Sequence, residues 1–515
     1  MKYKNFNNFI FIFLIFIFLF LLRFNSFEMP FERDEGEYAY SAWILRQGIM
    51  PYENSFLQKP PMIIYTYLLG QIFFGDSIWP PRFLAFISVF LTALVIYFVV
   101  RKNYSQKVAW TSAFLTSLTL SFPHFTALAA NTEIFMILFL VVSFALYFYY
   151  QEKASFWVWF LSGVFSSISV FYKPIAVFPF LFLYSFWIYR LLKQKISFTT
   201  IFINIFAASF SFLFTSLLIL LPFLISGKIN FLVESVWQFN LSYSQVWKSY
   251  GLSGFYLQMG KLIRVWWILI LLFLFFLFSK SKDKNLILGL IISSIFSTFR
   301  TTIGHYYLTF MPFLSIAAAL GLSELYSLLS KKFRVNFVYI FLIVLFLMLY
   351  PLRVQFGLKP EGLSLWIYGF ENPFNESKLM SEKIVENSLP SDYIFVVGSE
   401  PQIYFYSQRR SPTRFVITYP LNIYSPKREE YQSEVVENLK NLRPKFIVYS
   451  NKEASGVWEK DSPRIFIDYI NNLISKDYYL IGGSVWGRNK VIWQDKLTDE
   501  EKKESSLLLY KLRNE

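Results

Sequence analysis

The chain has no cysteine and only two histidines, His124 and His305, among its 515 residues. The first absence excludes disulfides and thiolate metal sites. The second excludes a metal centre built mainly on imidazole, although a carboxylate-bound divalent metal stays open. Charge is scarce too: Asp, Glu, Lys and Arg make up 16%, against roughly 25% in soluble domains. In their place stand apolar residues, 55% of the chain, with 62 Phe. This composition is that of a membrane protein.

Apolar runs fall at 9–22, 82–100, 108–122, 133–150, 156–171, 174–189, 201–225, 263–278, 286–299, 306–319 and 335–350. A helix of about 17 to 25 residues crosses a hydrocarbon core of roughly 30 Å, so the expected fold is a polytopic α-helical membrane protein with about eleven or more spans. Lys2 and Lys4 precede the first run as in a signal peptide, but Arg23-Phe24-Asn25-Ser26-Phe27-Glu28 offers no small-residue cleavage site. An uncleaved first span is expected. Alternate connections carry Arg101, Lys102 and Lys107, then Lys153, then Arg190, Lys193 and Lys195, then Lys280, Lys282 and Lys284, then Lys331, Lys332 and Arg334. Excess Lys and Arg mark cytoplasmic loops. This accounts for much of the net charge of +15 without a nucleic-acid partner, and it places the N-terminus in the cytoplasm of a plasma (inner) membrane protein.

The opposite side then receives the loop around Asp34, the connections near Glu133 and Lys173, residues 227–261, the stretch from Arg300 to His305, and everything after 350. Residues 23–81 are too polar to span, yet 34–47 and 60–74 are amphipathic. Gly48 follows the first and Pro60-Pro61 opens the second, which fits two interfacial helices in the first outer loop. From 353 the composition turns water-soluble, with strand-like runs at 393–397, 414–418, 444–449 and 478–481 and helical patterns at 376–386, 428–442 and 463–474. That alternation predicts a C-terminal α/β soluble domain over 353–515, after a membrane domain over 1–352. The charged stretch 498–515 reads as a helix or tail.

The chemistry-bearing residues sit on the outer side. Asp34-x-x-Glu37 has capping-box spacing, which neither requires nor excludes catalysis. Glu35 stands beside it, and paired acids in desolvated surroundings push a carboxyl toward the range where it accepts a proton from a hydroxyl. Lys59, before Pro60 and Pro61, is either a snorkelling lysine or the cation of a phosphate site. Lys173 is open to the same two readings. Glu133 follows Asn131-Thr132, where an acid suits a helix start; Arg300 and Gly304-His305-Tyr306 begin a later span on the same side.

Arg33-Asp34-Glu35-Gly36-Glu37-Tyr38-Ala39, Gly48-x-x-Pro51-Tyr52, Lys59-Pro60-Pro61 and the stretch Gly75 to Arg82 resemble the first outer loop of the GT-C membrane glycosyltransferases. The similarity is to the branch holding protein O-mannosyltransferases and the lipid A aminoarabinose transferase, and it covers roughly 1–350. It implies a GT-C fold with Asp34 as the proposed base and Lys59 on the phosphate of a polyprenyl-linked sugar. Glu133 resembles the acid of the second outer loop, and His305-Tyr306 with Pro312 a later donor-side segment; Tyr52 is a further site candidate. Gly398-Ser399-Glu400-Pro401 resembles the soluble tail of bacterial members and assigns no chemistry. Gln58 stands where the aminoarabinose branch has a metal-binding glutamate, so that metal does not carry over.

The resulting expectation is an inverting transfer of a sugar from a polyprenyl-phosphate donor to a hydroxyl on a lipid, glycan or protein acceptor at the outer membrane face. Lys59, with Arg300 or Lys173, would hold the phosphate. Two rivals are a lipid or solute transporter, against which the charge-poor spans count, and a non-enzymatic envelope scaffold.

Overall fold

A computed structural model describes residues 2–242, 251–296, 298, 303–456, 459–487 and 490–513. The protein is multi-pass. Among the described residues, eight helices are long and apolar enough to cross a membrane: Asn8–Ser26, Trp79–Asn103, Thr132–Tyr150, Pro174–Lys193, Phe198–Ile225, Leu252–Leu277, Gly304–Ser330 and Phe337–Gly357. The other three apolar runs form shorter helices, Gln106–Thr119, Phe156–Tyr172 and Lys284–Phe296, of 14, 17 and 13 residues. The 108–122 run stops early because the chain turns at Leu120 and enters a 3-10 turn at Pro123, where proline supplies no amide to continue a helix.

The chain divides into two compact units. One comprises Met1–Phe27, Pro81–Leu221 and Tyr250–Leu358. Its Met311–Ser330 helix is buried from Met311 to Leu322 without a break, the stretch in which its side chains are nearly all apolar. Buried Arg23 donates to the carbonyls of Leu120, Ala127 and Leu128 at 3.0, 2.8 and 3.1 Å. Those carbonyls lie where the backbone leaves helical pairing, so the guanidinium satisfies groups that lipid could not.

The other unit comprises Glu28–Pro80, Pro222–Ser249 and Lys359–Glu515. Among the described residues its sheet has the order β1 (Ile394–Val397), β2 (Phe446–Ser450), β5 (Leu507–Leu512), β3 (Tyr478–Trp486) and β4 (Val491–Gln494). β1 and β2 run parallel and the remaining pairs antiparallel. The tail expected over 498–515 is thus a short helix, Asp499–Glu504, followed by the central strand of the sheet. Leu507, Leu508 and Leu509 are buried there, and that apolar triplet outweighs the charged residues before it. The run 414–418 is not a strand: its apolar residues are buried, but the chain turns, with Arg414 held by Glu234 and Glu434. One hydrophobic core joins Phe56 of the Glu28–Pro80 segment and Phe239 to Phe395, Ile447 and Phe466 of the C-terminal segment.

The two segments expected as interfacial helices are the helices Arg33–Arg46 and Met62–Phe74. Only the second shows the exposed apolar face expected of such a helix, through Leu69, Ile72, Phe73 and Phe74. In the first, every residue from Glu35 to Ile44 is buried.

Candidate functional site

The Arg33–Arg46 helix starts two residues earlier than Asp34-x-x-Glu37 suggests. Glu32 is the N-cap: its carboxylate accepts from Asp34 N at 3.2 Å, and Glu35 Oε2 accepts from Glu32 N at 3.3 Å, closing a capping box. Glu32-x-x-Glu35 and Asp34-x-x-Glu37 share one spacing, and the extended backbone at Glu32 selects the first. Asp34 is therefore relieved of the capping role and stands half-buried in the first turn.

Four acids, Glu32, Asp34, Glu35 and Glu37, crowd this helix start, and burial raises two of them. The Glu32 carboxyl is pushed up to about 8, chiefly by burial and then by the charges of Asp34 and Glu35. Glu32 is half-buried as a residue, yet its Oε1 is fully enclosed, and the enclosed carboxyl is what titrates. Glu37, 1% exposed, is held well above the usual carboxylate range by burial, while the Lys59 charge pulls it partly back. Its Oε1 has no hydrogen-bond partner among the described residues. Asp34 and Glu37, three residues apart, fall on one helix face.

The loop carrying Lys59 is fixed from behind. Tyr52 adopts a left-handed backbone, φ 67°, uncommon for a side chain of this size. It is completely buried, packs edge-on against Phe223 at 5.3 Å, and donates its hydroxyl to Lys59 O at 2.8 Å. Asn240 Nδ2 donates to Gln58 O at 2.8 Å. Two successive carbonyls are thereby anchored, and the backbone at Lys59 is set before any ligand arrives. Asp34, Glu35, Tyr52 and Lys59 thus belong to one compact unit, with Glu32, Glu37 and Asn240. Glu37 was in view only as the capping partner of Asp34; nothing in the sequence singled out Glu32 or Asn240.

Within the other unit, four more candidates meet. Glu133, in the first turn of Thr132–Tyr150, is completely buried and forms an ion pair with Lys173. His305 Nε2 lies 3.7 Å from the same Glu133 oxygen, and its Nδ1 is 3.2 Å from Thr126 Oγ1. The Lys173 ammonium sits 3.4 Å from the centre of the Tyr306 ring, a cation–π contact. A carboxylate so close neutralises most of what Lys173 could offer a phosphate, which makes it a weaker phosphate ligand than its charge suggests. Arg300 lies outside the described residues. Among the described residues no group of three or more Asp, Glu or His could hold a metal ion.

Residues 58–225 match the family of dolichyl-phosphate-mannose-protein mannosyltransferases. An uncharacterized protein of Aquifex aeolicus is 37% identical over 97 residues, 18% of this chain and 22% of that protein. The matched part is thus about a fifth of that relative's length. Among solved structures, ArnT from Cupriavidus metallidurans bound to undecaprenyl phosphate is 14% identical, with 96% of each chain covered and a TM-score of 0.56. The archaeal oligosaccharyltransferase AglB from Archaeoglobus fulgidus, in complex with an inhibitory peptide and a dolichol-phosphate, is 12% identical over 97% of this chain and 75% of that one, with a TM-score of 0.52. In fold over nearly its whole length, and in sequence over 58–225, the chain resembles the GT-C membrane glycosyltransferases.

Proposed function

We propose that the protein is a membrane glycosyltransferase that moves a sugar from a polyprenyl-phosphate donor to a hydroxyl acceptor, with Asp34 as base and Lys59 at the donor phosphate. The observation that carries the reading is the assembly of Asp34, Glu37, Tyr52 and Lys59 around one anchored loop. Burial pushes the Glu32 carboxyl up to about 8 and holds that of Glu37 well above the usual carboxylate range, which leaves this acidic helix start less negative than its sequence. An upward-shifted Glu37 also competes less with a phosphate for Lys59 than an ordinary carboxylate would.

In the reaction, the acceptor hydroxyl gives its proton to the Asp34 carboxylate as its oxygen bonds to the anomeric carbon. The carbon–oxygen bond to phosphate breaks, and the electron pair leaves with polyprenyl phosphate. That leaving group is already anionic, so the second carboxylic acid of a glycosidase is unnecessary. A single displacement inverts the anomeric centre. Transfer takes place at the outer face of a plasma membrane, with the N-terminus cytoplasmic and residues 353–515 outside. Lipid, glycan and protein hydroxyls are all acceptors compatible with this chemistry.

The test is transfer by the purified protein from a panel of defined polyprenyl-phosphate sugars into membrane extract, followed by identification of the labelled product. A labelled lipid, glycan or protein with inverted linkage is expected. No transfer from any donor, with folded protein, would overturn the reading.

A further inference from the structure

Two sequence motifs more than 360 residues apart meet within one compact unit. Arg33, the residue before Asp34, donates from Nε to Ser399 O at 2.5 Å and from Nη2 to Glu400 Oε1 at 3.3 Å. Its guanidinium also lies 5.8 Å from the centre of the Phe374 ring. Glu400 is completely buried; its other oxygen accepts from Ser455 Oγ at 2.5 Å, and Ser455 Oγ in turn accepts from Ser399 N at 2.9 Å. Gly398 leaves the room: a Cβ there would lie 2.6 Å from Glu400 Oε2.

The helix behind the motif is docked as closely as its neighbour. A Cβ on Gly36 would stand 2.5 Å from Gln402 N and 2.8 Å from Gln402 Cα, backbone atoms that cannot step aside, so this turn of the Arg33–Arg46 helix admits only glycine. Phe31 N donates to Tyr406 Oη at 2.7 Å, and Ser411 N donates to Tyr40 Oη at 3.1 Å. Tyr404 beside them accepts from Val396 N of β1 at 2.8 Å. The helix bearing Asp34 is thereby tied to the sheet of the C-terminal segment at its start, along its first turns and at Tyr40.

We propose that Glu400 is a positioning residue for sugar transfer: through Arg33 it fixes the first turn of the helix that carries Asp34, and this is a function of the soluble C-terminal segment. The role rests on the reading of Asp34 as base. A buried carboxylate whose oxygens are shared between a guanidinium and a serine holds both direction and distance, and displacement of a reacting group by about 1 Å can cost on the order of 10²-fold in rate.

The experiment uses full-length purified protein with Glu400→Gln, Glu400→Ala and Asp34→Asn, comparing transfer kinetics and amide hydrogen exchange over 33–46. Glu400→Ala is expected to lower kcat roughly ten- to a hundredfold with little change in donor KM, and to speed exchange at the helix start. Glu400→Gln, which keeps the shape and a hydrogen-bonding carbonyl, is expected to recover part of both. Parent-like kcat in a folded Glu400→Gln and Glu400→Ala pair, beside an inactive Asp34→Asn, would overturn the positioning role and leave the base assignment standing. Unchanged exchange over 33–46 in both variants would overturn it as well. Full activity in Asp34→Asn would remove the base assignment, and the positioning role with it.

Discussion

At the scale of the residue, protonation and anchoring decide what each polar side chain can do. Since Glu32 caps the helix, Asp34→Asn is expected to leave folding intact while cutting transfer by about 10²- to 10⁴-fold, the usual contribution of a positioned base. Parallel melting curves and single-turnover rates check both halves. Lys59→Ala is expected to weaken donor use roughly ten- to a hundredfold, the range for losing a charge-assisted hydrogen bond, with normal expression because Tyr52 and Asn240 hold backbone atoms. Donor-dependent kinetics read it; an unchanged donor KM would return Lys59 to a snorkelling role. Asp34 and Lys59 could be picked out in the sequence because charge beside a long apolar run is conspicuous. Glu32 was hidden, since two overlapping capping frames differ only in backbone angles that no residue type dictates here.

At the scale of the element, the start of the Arg33–Arg46 helix should report its own titration. The Glu32 carboxyl is raised in the folded chain, to about 8 from an ordinary 4.5, so the fold holds a proton that the unfolded chain releases. The stability this supplies is fully present below about pH 4.5 and declines as pH rises toward about 8. Glu32→Gln keeps a capping carbonyl and removes the titration, so its melting temperature is expected to fall less than the parent's between those pH values. Identical pH profiles would show that Glu32 is not the group responsible. The strand β5 gives a second expectation. Ending the chain after Glu504 removes the strand between β2 and β3 and exposes two sheet edges; such a truncation is expected to be rapidly cleaved within 359–504 in limited proteolysis. A single apolar triplet near a charged segment did not announce a central strand, because its partners, β2 and β3, lie at distant points of the chain and pairing is a non-local property.

At the scale of the molecule, the loops enriched in Lys and Arg predict that a reporter fused after Arg353 reads as extracytoplasmic. Cytoplasmic reporter activity there would reverse the orientation and remove the outer-face chemistry. The membrane helices were legible because lipid demands unbroken apolarity over a fixed length, a rule written residue by residue. The composition of the second compact unit was not. That Phe56, Phe239 and Phe466 share a core follows from packing between segments that apolar spans separate in sequence, and each of those residues alone looks like any other phenylalanine in a chain that has 62.

The pairing of Arg33 with a residue 367 positions later also sets a clock on biosynthesis. At about 5–20 residues per second, the ribosome delivers Glu400 tens of seconds after Arg33, and Phe466 later still. During that interval the Arg33–Arg46 segment has neither its carboxylate partner nor the surface against which Gly36 packs. A nascent chain interrupted before the C-terminal segment would therefore carry every one of its first-loop acids and the lysine, and yet offer quality-control proteases an unsheltered helix in place of a finished enzyme.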